Sequence, residues 1–136
     1  MGTLIDTSVL IDLERSGLPA DELLAAIDET EELFLSAITV GELMIGAESG
    51  VDAMQRHKRR KNAEKVLASF PCLSVGVEVA EYYARIASAL LAKKTPIGVN
   101  DTWIAATAMN HSLRVLTGNV KHFERVDGLQ VLAWKR

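Results

Sequence analysis

Three acidic residues stand where a carboxylate could do chemistry. Asp6 directly follows the apolar run Thr3-Leu4-Ile5, Glu42 is the only charged residue between positions 36 and 47, and Asp101 follows Asn100 after the loop over residues 93–98. Each also has an ordinary structural explanation. Asp6 could cap a helix, as could either Asn100 or Asp101, and Glu42 could lie on a narrow solvated stripe or pair with a distant Lys or Arg. Their combination is the informative feature.

Asp6 and Asp101 are predicted at junctions between strands, loops and helices, where distant segments can meet. Glu42 is expected on a largely packed helix, where an unpaired charge is costly and requires a cation. Carboxylates that converge raise one another's pKa unless a divalent cation neutralises them. Such oxygen ligands suit Mg²⁺ or Mn²⁺, which can bind a phosphodiester oxygen and lower the pKa of an attacking water. The predicted chemistry is therefore hydrolysis of a phosphodiester.

The elements that position these acids alternate between short apolar strands and helices. Strands are predicted over residues 3–5, 33–35, 72–75, 115–117 and near 130–132. Helices are predicted from Thr7, from Pro19 and Asp21, from Thr39 to near Gly50, over 52–69, from Glu78, from Asn100-Asp101 to His111, and over 119–125. The helix from Glu78 is expected to bury Ala80, Tyr83, Ala84, Ala87 and Leu91.

This alternation indicates a three-layer α/β/α fold with a short, mainly parallel central sheet. At 136 residues the chain has the usual size of one domain, predicted over 1–136. In open α/β sheets ligands bind at the carboxyl ends of the strands, which is where Asp6 is predicted.

Composition excludes several other classes of protein. The longest segments without Asp, Glu, Lys or Arg, residues 66–77 and 102–113, have 12 residues each, far short of the roughly 20 apolar residues that span a bilayer, so no membrane helix is expected. The single cysteine, Cys72, is interpreted as a buried small hydrophobic residue, and a reducing cytoplasm is the expected location. Phosphate-binding glycine loops, zinc-ligand spacings and a Gly-x-Ser-x-Gly elbow are absent from the sequence.

Charge is distributed in two opposite segments, although the net charge is only −3. Residues 21–32 hold six acids and no base. Residues 56–65 hold six bases and one acid, and the bases include Arg56, Lys58, Arg59, Arg60 and Lys61. A basic run of this kind is usually a solvated helix face, and a phosphate-binding surface is the second interpretation.

Four segments together resemble the PIN domain family, and specifically the VapC-type toxins of prokaryotic toxin–antitoxin pairs. The segments are 4–11, 39–43, 100–106 and 117–123, and the resemblance covers essentially the whole chain. Thr117-Gly118-Asn119-Val120-Lys121-His122-Phe123 departs from the family's fourth motif, because His122 stands where an acid is common.

The resemblance implies a metal-dependent endoribonuclease, a homodimer inhibited by a cognate antitoxin. It implies that Asp6, Glu42 and Asp101 hold Mg²⁺ or Mn²⁺, that Thr117 and Asn119 line the cleft, and that Ser8 orients a water or phosphate. His122 could ligate Mn²⁺, contact phosphate or cap the short helix, and capping is the preferred interpretation. The basic run becomes a candidate surface for the RNA backbone, with an antitoxin or dimer contact as the alternative.

Two other functions fit the sequence less well. A catalytically degenerate PIN-like module would bind RNA or a protein partner, but such a module has no reason to keep like charges close together. A phospho-acceptor role for Asp6 requires an acidic pair near it and a lysine at a later strand end, which Leu116-Thr117-Gly118 does not provide.

Overall fold

The computed structural model describes residues 2–17, 27 and 30–135. The strands are β1 (Gly2–Ile5), β2 (Glu32–Ser36), β3 (Cys72–Leu73), β4 (Arg114–Thr117) and β5 (Val131–Ala133). The helices are α1 (Thr7–Ser16), α2 (Ala37–Glu48), α3 (Ala53–Ser69), α4 (Val77–Ala92), α5 (Val99–Asn110) and α6 (Val120–Phe123). In these ranges no helix has both the length and the apolar character needed to cross a membrane. The helix predicted from Pro19 and Asp21, and the acids Asp21, Glu22, Asp28 and Glu29, lie outside the described residues.

The five strands form one parallel sheet in the order β3-β2-β1-β4-β5. This confirms the predicted α/β class with a short parallel sheet. Strand β1 lies between β2 and β4, and Ile5 is in register with Leu116 of β4. Asp6, which follows β1, and Thr117, the last residue of β4, are therefore neighbours at the carboxyl edge.

Alternate side chains of the sheet enter two separate cores, as the pleat of a strand requires. Leu4 and Val115 pack with residues of α4 and α5 on one face. Ile5 and Leu116 pack with residues of α1, and with partly buried Leu43 of α2, on the other face. Helices thus cover both faces, and the three-layer prediction is confirmed.

Helix α4 is rotated relative to the prediction. It begins at Val77, and its buried residues are Val79, Ile86 and Leu90. Of the five residues expected in the core, Ala80, Ala84 and Leu91 are exposed, whereas Tyr83 and Ala87 are half-buried. Apolar residues lie on several faces of this helix, and burial of its larger branched side chains removes more apolar area from water than burial of its alanines.

Gly98, rather than Asn100 or Asp101, is the N-cap of α5. The helix begins at Val99, and Gly98 has φ 98° and ψ 156°. The Thr102 hydroxyl and backbone N–H both donate to the Gly98 carbonyl, at 2.6 and 3.1 Å. The prediction that Asn100 or Asp101 caps this helix is wrong, and the Asp101 carboxylate is available for other contacts.

Cys72 is exposed, so the interpretation of this residue as a buried hydrophobic side chain is wrong. It begins the two-residue strand β3, which pairs with β2 at the edge of the sheet. Partial desolvation raises the pKa of the Cys72 thiol, which favours the unreactive protonated form.

We expect Gly98→Ala to destabilise the protein by roughly 1–3 kcal/mol, because a β-carbon is strained at this positive φ. Gly76→Ala is the matched control. Gly76 is the N-cap of α4, and the space around it is equally open, but its φ is −117°. Urea denaturation of both variants measures the difference, and equal free energies of unfolding would contradict the strain argument.

Candidate active site

The Asp6 carboxylate is buried at the carboxyl edge of the sheet, with 2% of the residue exposed. Its backbone N–H donates to the Leu116 carbonyl at 2.9 Å, which extends the pairing of β1 and β4 by one residue. Asp6 is the N-cap residue of α1, but its side chain makes no capping hydrogen bond. Burial raises the pKa of Asp6, and the nearby charge of Asp101 raises it further. The capping explanation therefore does not account for this carboxylate.

Two hydroxyl groups hold the buried carboxylate by one oxygen. Ser8 Oγ donates to Asp6 Oδ2 at 2.6 Å, and Thr117 Oγ1 donates to the same oxygen at 2.8 Å. Both hydroxyls in turn accept backbone N–H groups of the next loop, Ser8 from Gly118 at 3.1 Å and Thr117 from Asn119 at 2.8 Å. These bonds connect the start of α1 to the β4–α6 loop and fix the orientation of the Asp6 carboxylate. The Ser8 hydrogen is committed to Asp6 rather than to a water or phosphate.

Asp101 lies in the first turn of α5, and its partner is His122. The Asp101 Oδ2 and His122 Nδ1 atoms are 2.9 Å apart, and their side chains are 20% and 43% exposed. His122 lies within α6, whose N-cap is Asn119. The interpretation of His122 as a helix cap is therefore wrong, because its ring is directed to Asp101. Replacement of the family's usual acid by His122 places a hydrogen-bonding ring beside the carboxylate.

Glu42 is connected to Asp6 through the adjacent residue. Thr7 Oγ1 donates to Glu42 Oε1 at 2.7 Å and lies 3.0 Å from the hydroxyl oxygen of Thr39. Helix α2 is less packed than expected, since only Thr39 and Ala47 are buried in it and Glu42 is half-buried. Thr7 and Thr39 are not among the site residues predicted from the sequence. The signal for Thr7 was its position directly after Asp6 in the first turn of α1.

Asp6 and Asp101 are the two candidate acids whose charges act on one another. Among residues 2–17, 27 and 30–135, no three His, Cys, Asp or Glu side chains lie close enough to hold a metal ion jointly. Asp101 is near enough for its charge to raise the pKa of Asp6, whereas Glu42 is directed to Thr7. Two carboxylates supplemented by waters are a typical Mg²⁺ ligand set, so the residues fit a divalent ion held by Asp6 and Asp101.

Most of the basic run of α3 has partners within the protein. Arg56 donates to the Gly50 carbonyl at 3.0 Å, and Arg59 donates to the Gly46 carbonyl at 3.0 Å. Arg60 pairs with Glu48 and Glu64, and Lys61 lies 3.9 Å from Glu64. The arginines therefore hold α3 against the end of α2. These contacts favour a structural role for the basic run over an RNA-binding surface. Lys58 is the better candidate for a phosphate contact.

Asp6→Asn should raise the free energy of unfolding at neutral pH by roughly 0.5–2 kcal/mol, the usual range for a stabilising substitution. The asparagine oxygen still accepts the Ser8 and Thr117 hydroxyls, while the cost of burying a charge disappears. Because the folded-state pKa of Asp6 is raised above 3.8, the native carboxylate costs stability as pH rises through that pKa. The advantage of the variant should thus vanish below pH 3.8.

Denaturant titrations at several pH values, in the presence of a chelator, measure this difference. Asp127→Asn is the control, because Asp127 is exposed and forms only a surface ion pair with Lys93. A variant that is less stable than the parent at neutral pH would contradict the account of Asp6 as a desolvated charge.

Comparisons with known proteins identify the family of this chain. The PIN domain family profile matches residues 3–129. Ribonuclease VapC1 of Rickettsia felis is 37% identical over 132 residues, which is 97% of this chain and 96% of that protein. VapBC-1 from nontypeable Haemophilus influenzae superposes with a TM-score of 0.85 at 28% identity, and the match covers 100% of both chains.

A third match is VapBC-5 from Mycobacterium tuberculosis, described as a member of the VapBC family of toxin–antitoxin systems. It superposes with a TM-score of 0.75 at 26% identity, covering 99% of this chain and 98% of that one. The family profile and the ribonuclease relative each cover nearly the whole sequence. The chain therefore belongs to the PIN domain family, and its relatives there include the VapC ribonucleases.

Proposed function

We propose that this chain is a metal-dependent endoribonuclease that hydrolyses RNA phosphodiester bonds, and that it is the toxin of a toxin–antitoxin pair. One observation carries the proposal: the buried Asp6 carboxylate, whose pKa is raised by burial and by Asp101, lies at the edge of the sheet where α/β proteins bind ligands. The ribonuclease names of its relatives support the substrate class.

In this proposal Asp6 and Asp101 hold Mg²⁺ or Mn²⁺, and Glu42 acts on the same site through water. When bound, such an ion would supply positive charge for the scissile phosphate and would lower the pKa of the attacking water. Ser8 and Thr117 keep the Asp6 carboxylate in one orientation, and His122 does the same for Asp101. Thr7 holds Glu42 beside the site. As the bond from the water oxygen to phosphorus forms, the bond to the leaving ribose oxygen breaks, and that oxygen takes up a proton to replace the one the water gives up.

A cognate antitoxin is the proposed protein partner, since the matched structures include VapBC assemblies and a member of the VapBC toxin–antitoxin family. The active enzyme is proposed to be a cytoplasmic homodimer. Lys58 remains a candidate for contact with the RNA backbone, because it belongs to the exposed side of α3. The alternative function is a degenerate PIN domain that binds RNA or protein without cleaving it.

Asp6→Asn and Asp101→Asn should each abolish RNA cleavage while the fold is retained. The expected loss exceeds the roughly 10–100-fold that removal of a residue supporting a metal ligand costs. The measurement is cleavage of RNA by the purified chain, with EDTA expected to remove activity and Mg²⁺ or Mn²⁺ to restore it. Asp127→Asn should retain full activity. Cleavage by both site variants, with contaminating nuclease excluded, would refute the catalytic assignment.

The same assay distinguishes a ribonuclease from the alternative, a PIN domain that binds without cleaving. A parent chain that binds RNA with either ion present but never cleaves it would identify a binding module. Such a result would leave the fold assignment intact, because the fold does not depend on turnover.

His122→Ala should lower the cleavage rate by about 10–100-fold, because Asp101 loses the ring that orients it. His122→Asn retains a side-chain hydrogen-bond donor and should recover part of the rate. His111→Ala is the control, since His111 is exposed at the end of α5. Full activity of His122→Ala would show that Asp101 needs no orientation from α6.

A further inference from the structure

A pocket of about 480 Å³ opens beside the candidate active site and is not used by the mechanism above. Its wall combines one face of α1, the β4–α6 loop and the segment after β5; the lining residues are Ser8, Ile11, Asp12, Arg15, Gly118, Asn119 and Trp134. The volume lies within the roughly 300–1,000 Å³ typical of small-ligand sites. The pocket is therefore large enough for one nucleotide unit.

The pocket is continuous with the hydrogen bonds that hold Asp6. Ser8 lines the pocket and also donates to the Asp6 carboxylate, while Gly118 lines it and donates to Ser8. The pocket and the Asp6 carboxylate are therefore adjacent, with Ser8 in contact with both. The spacing of Ser8, Ile11, Asp12 and Arg15 places all four on one face of α1, opposite the buried Val9, Leu10 and Leu13.

Trp134 provides a flat wall that is fixed at two points. Its indole Nε1 donates to Asp12 Oδ2 at 2.9 Å, and its backbone N–H donates to the Thr117 carbonyl at 2.8 Å. The residue is half-buried, so part of its ring surface remains accessible. An aromatic ring held in this way can stack on a nucleobase with little loss of side-chain entropy.

Arg15 and Asn119 add the polar groups that a nucleotide requires. Arg15 is exposed in the last turn of α1 and can bind a phosphate with its guanidinium group. The Asn119 side chain carries both a donor and an acceptor for the edge of a base. Ile11, 37% exposed, is the only aliphatic side chain larger than alanine among the described lining residues. This composition favours a nucleotide over the apolar face of a helical peptide.

We propose that this pocket is a nucleotide subsite of the RNA substrate, in which a base stacks on Trp134 and a phosphate contacts Arg15. The proposal rests on the function proposed above and specifies where the RNA chain continues from the scissile bond. An antitoxin segment in the same pocket is the competing outcome.

Binding of a short fluorescein-labelled single-stranded RNA, measured by anisotropy with EDTA present to prevent turnover, tests the subsite. Trp134→Ala should weaken binding by at least about fivefold, the lower end of what loss of one base–aromatic stack costs. Trp134→Phe should retain most of the affinity, because it keeps an aromatic ring. This second variant also controls for misfolding, since it fills nearly the same volume.

Intrinsic fluorescence gives an independent readout, because the chain has only two tryptophans. Trp103 lies on α5 and stacks on Tyr83 with ring centroids 4.0 Å apart. AMP or UMP should quench the fluorescence of the parent chain, and the quenching should be lost in Trp134→Phe, where only Trp103 reports.

Arg15→Gln should reduce the slope of log affinity against log salt by about 0.7, the value for one phosphate contact on a single strand. Arg85→Gln is the matched control, because Arg85 lies on α4 over the opposite face of the sheet and is placed over the Tyr82 ring. Its slope should equal that of the parent.

The outcomes distinguish this proposal from the proposed function. Unchanged RNA affinity, quenching and salt slope in the pocket variants of a chain that cleaves RNA would overturn the subsite alone. Normal RNA binding together with weakened binding of the co-purified antitoxin would assign the pocket to the protein partner and overturn the subsite as well. A parent chain that neither binds nor cleaves RNA would instead remove the proposed function on which the subsite rests.

Discussion

The site depends on the hydrogen bonds that allow one carboxylate to be buried at the end of β1. A buried charge is costly unless it is hydrogen-bonded, and Asp6 receives hydroxyl donors from Ser8 on its own helix and from Thr117 on the neighbouring strand. Thr117 is correctly placed because β1 and β4 are parallel and Ile5 is in register with Leu116, whereas Ser8 lies two residues after Asp6 in the chain. A shift of one residue would direct the side chain after β1 to the other face of the sheet. The burial of Asp6 therefore depends directly on the topology of the sheet.

The sequence predicted the parts of the fold that depend on local pattern. Short apolar runs alternating with helical spacing specified the parallel sheet and both helical layers, and the position of Asp6 followed from its place after the first run. The orientation of α4 was not predictable, because apolar residues occur on several of its faces and the neighbouring elements decide which one is buried. The start of α5 was also missed, since Gly98 caps it with a positive φ that composition alone does not reveal.

The partners of the acids could not be predicted either, because they come from remote parts of the chain. Thr117 lies 111 positions from Asp6, and His122 lies 21 positions from Asp101. The partners of the basic run were equally unpredictable from the sequence. Its charge is visible in the sequence, but the acceptors of Arg56 and Arg59 are backbone carbonyls at the end of α2, which carry no sequence signal.

The chemistry of these partners distinguishes the site acids from an ordinary ion pair. In the described residues the side-chain partners of Asp6, Glu42 and Asp101 are hydroxyls and an imidazole, and no Lys or Arg forms an ion pair with any of the three. Glu31 differs from these three acids because its partner is an arginine. Its side chain is 7% exposed, and its carboxylate lies 3.5 Å from Arg114 Nε. The guanidinium charge offsets that of Glu31 and so reduces its attraction for a second cation. Hydroxyl donors orient a carboxylate without cancelling its charge, so Asp6 retains the negative field that a divalent ion requires, and the nearby charge of Asp101 adds to that field.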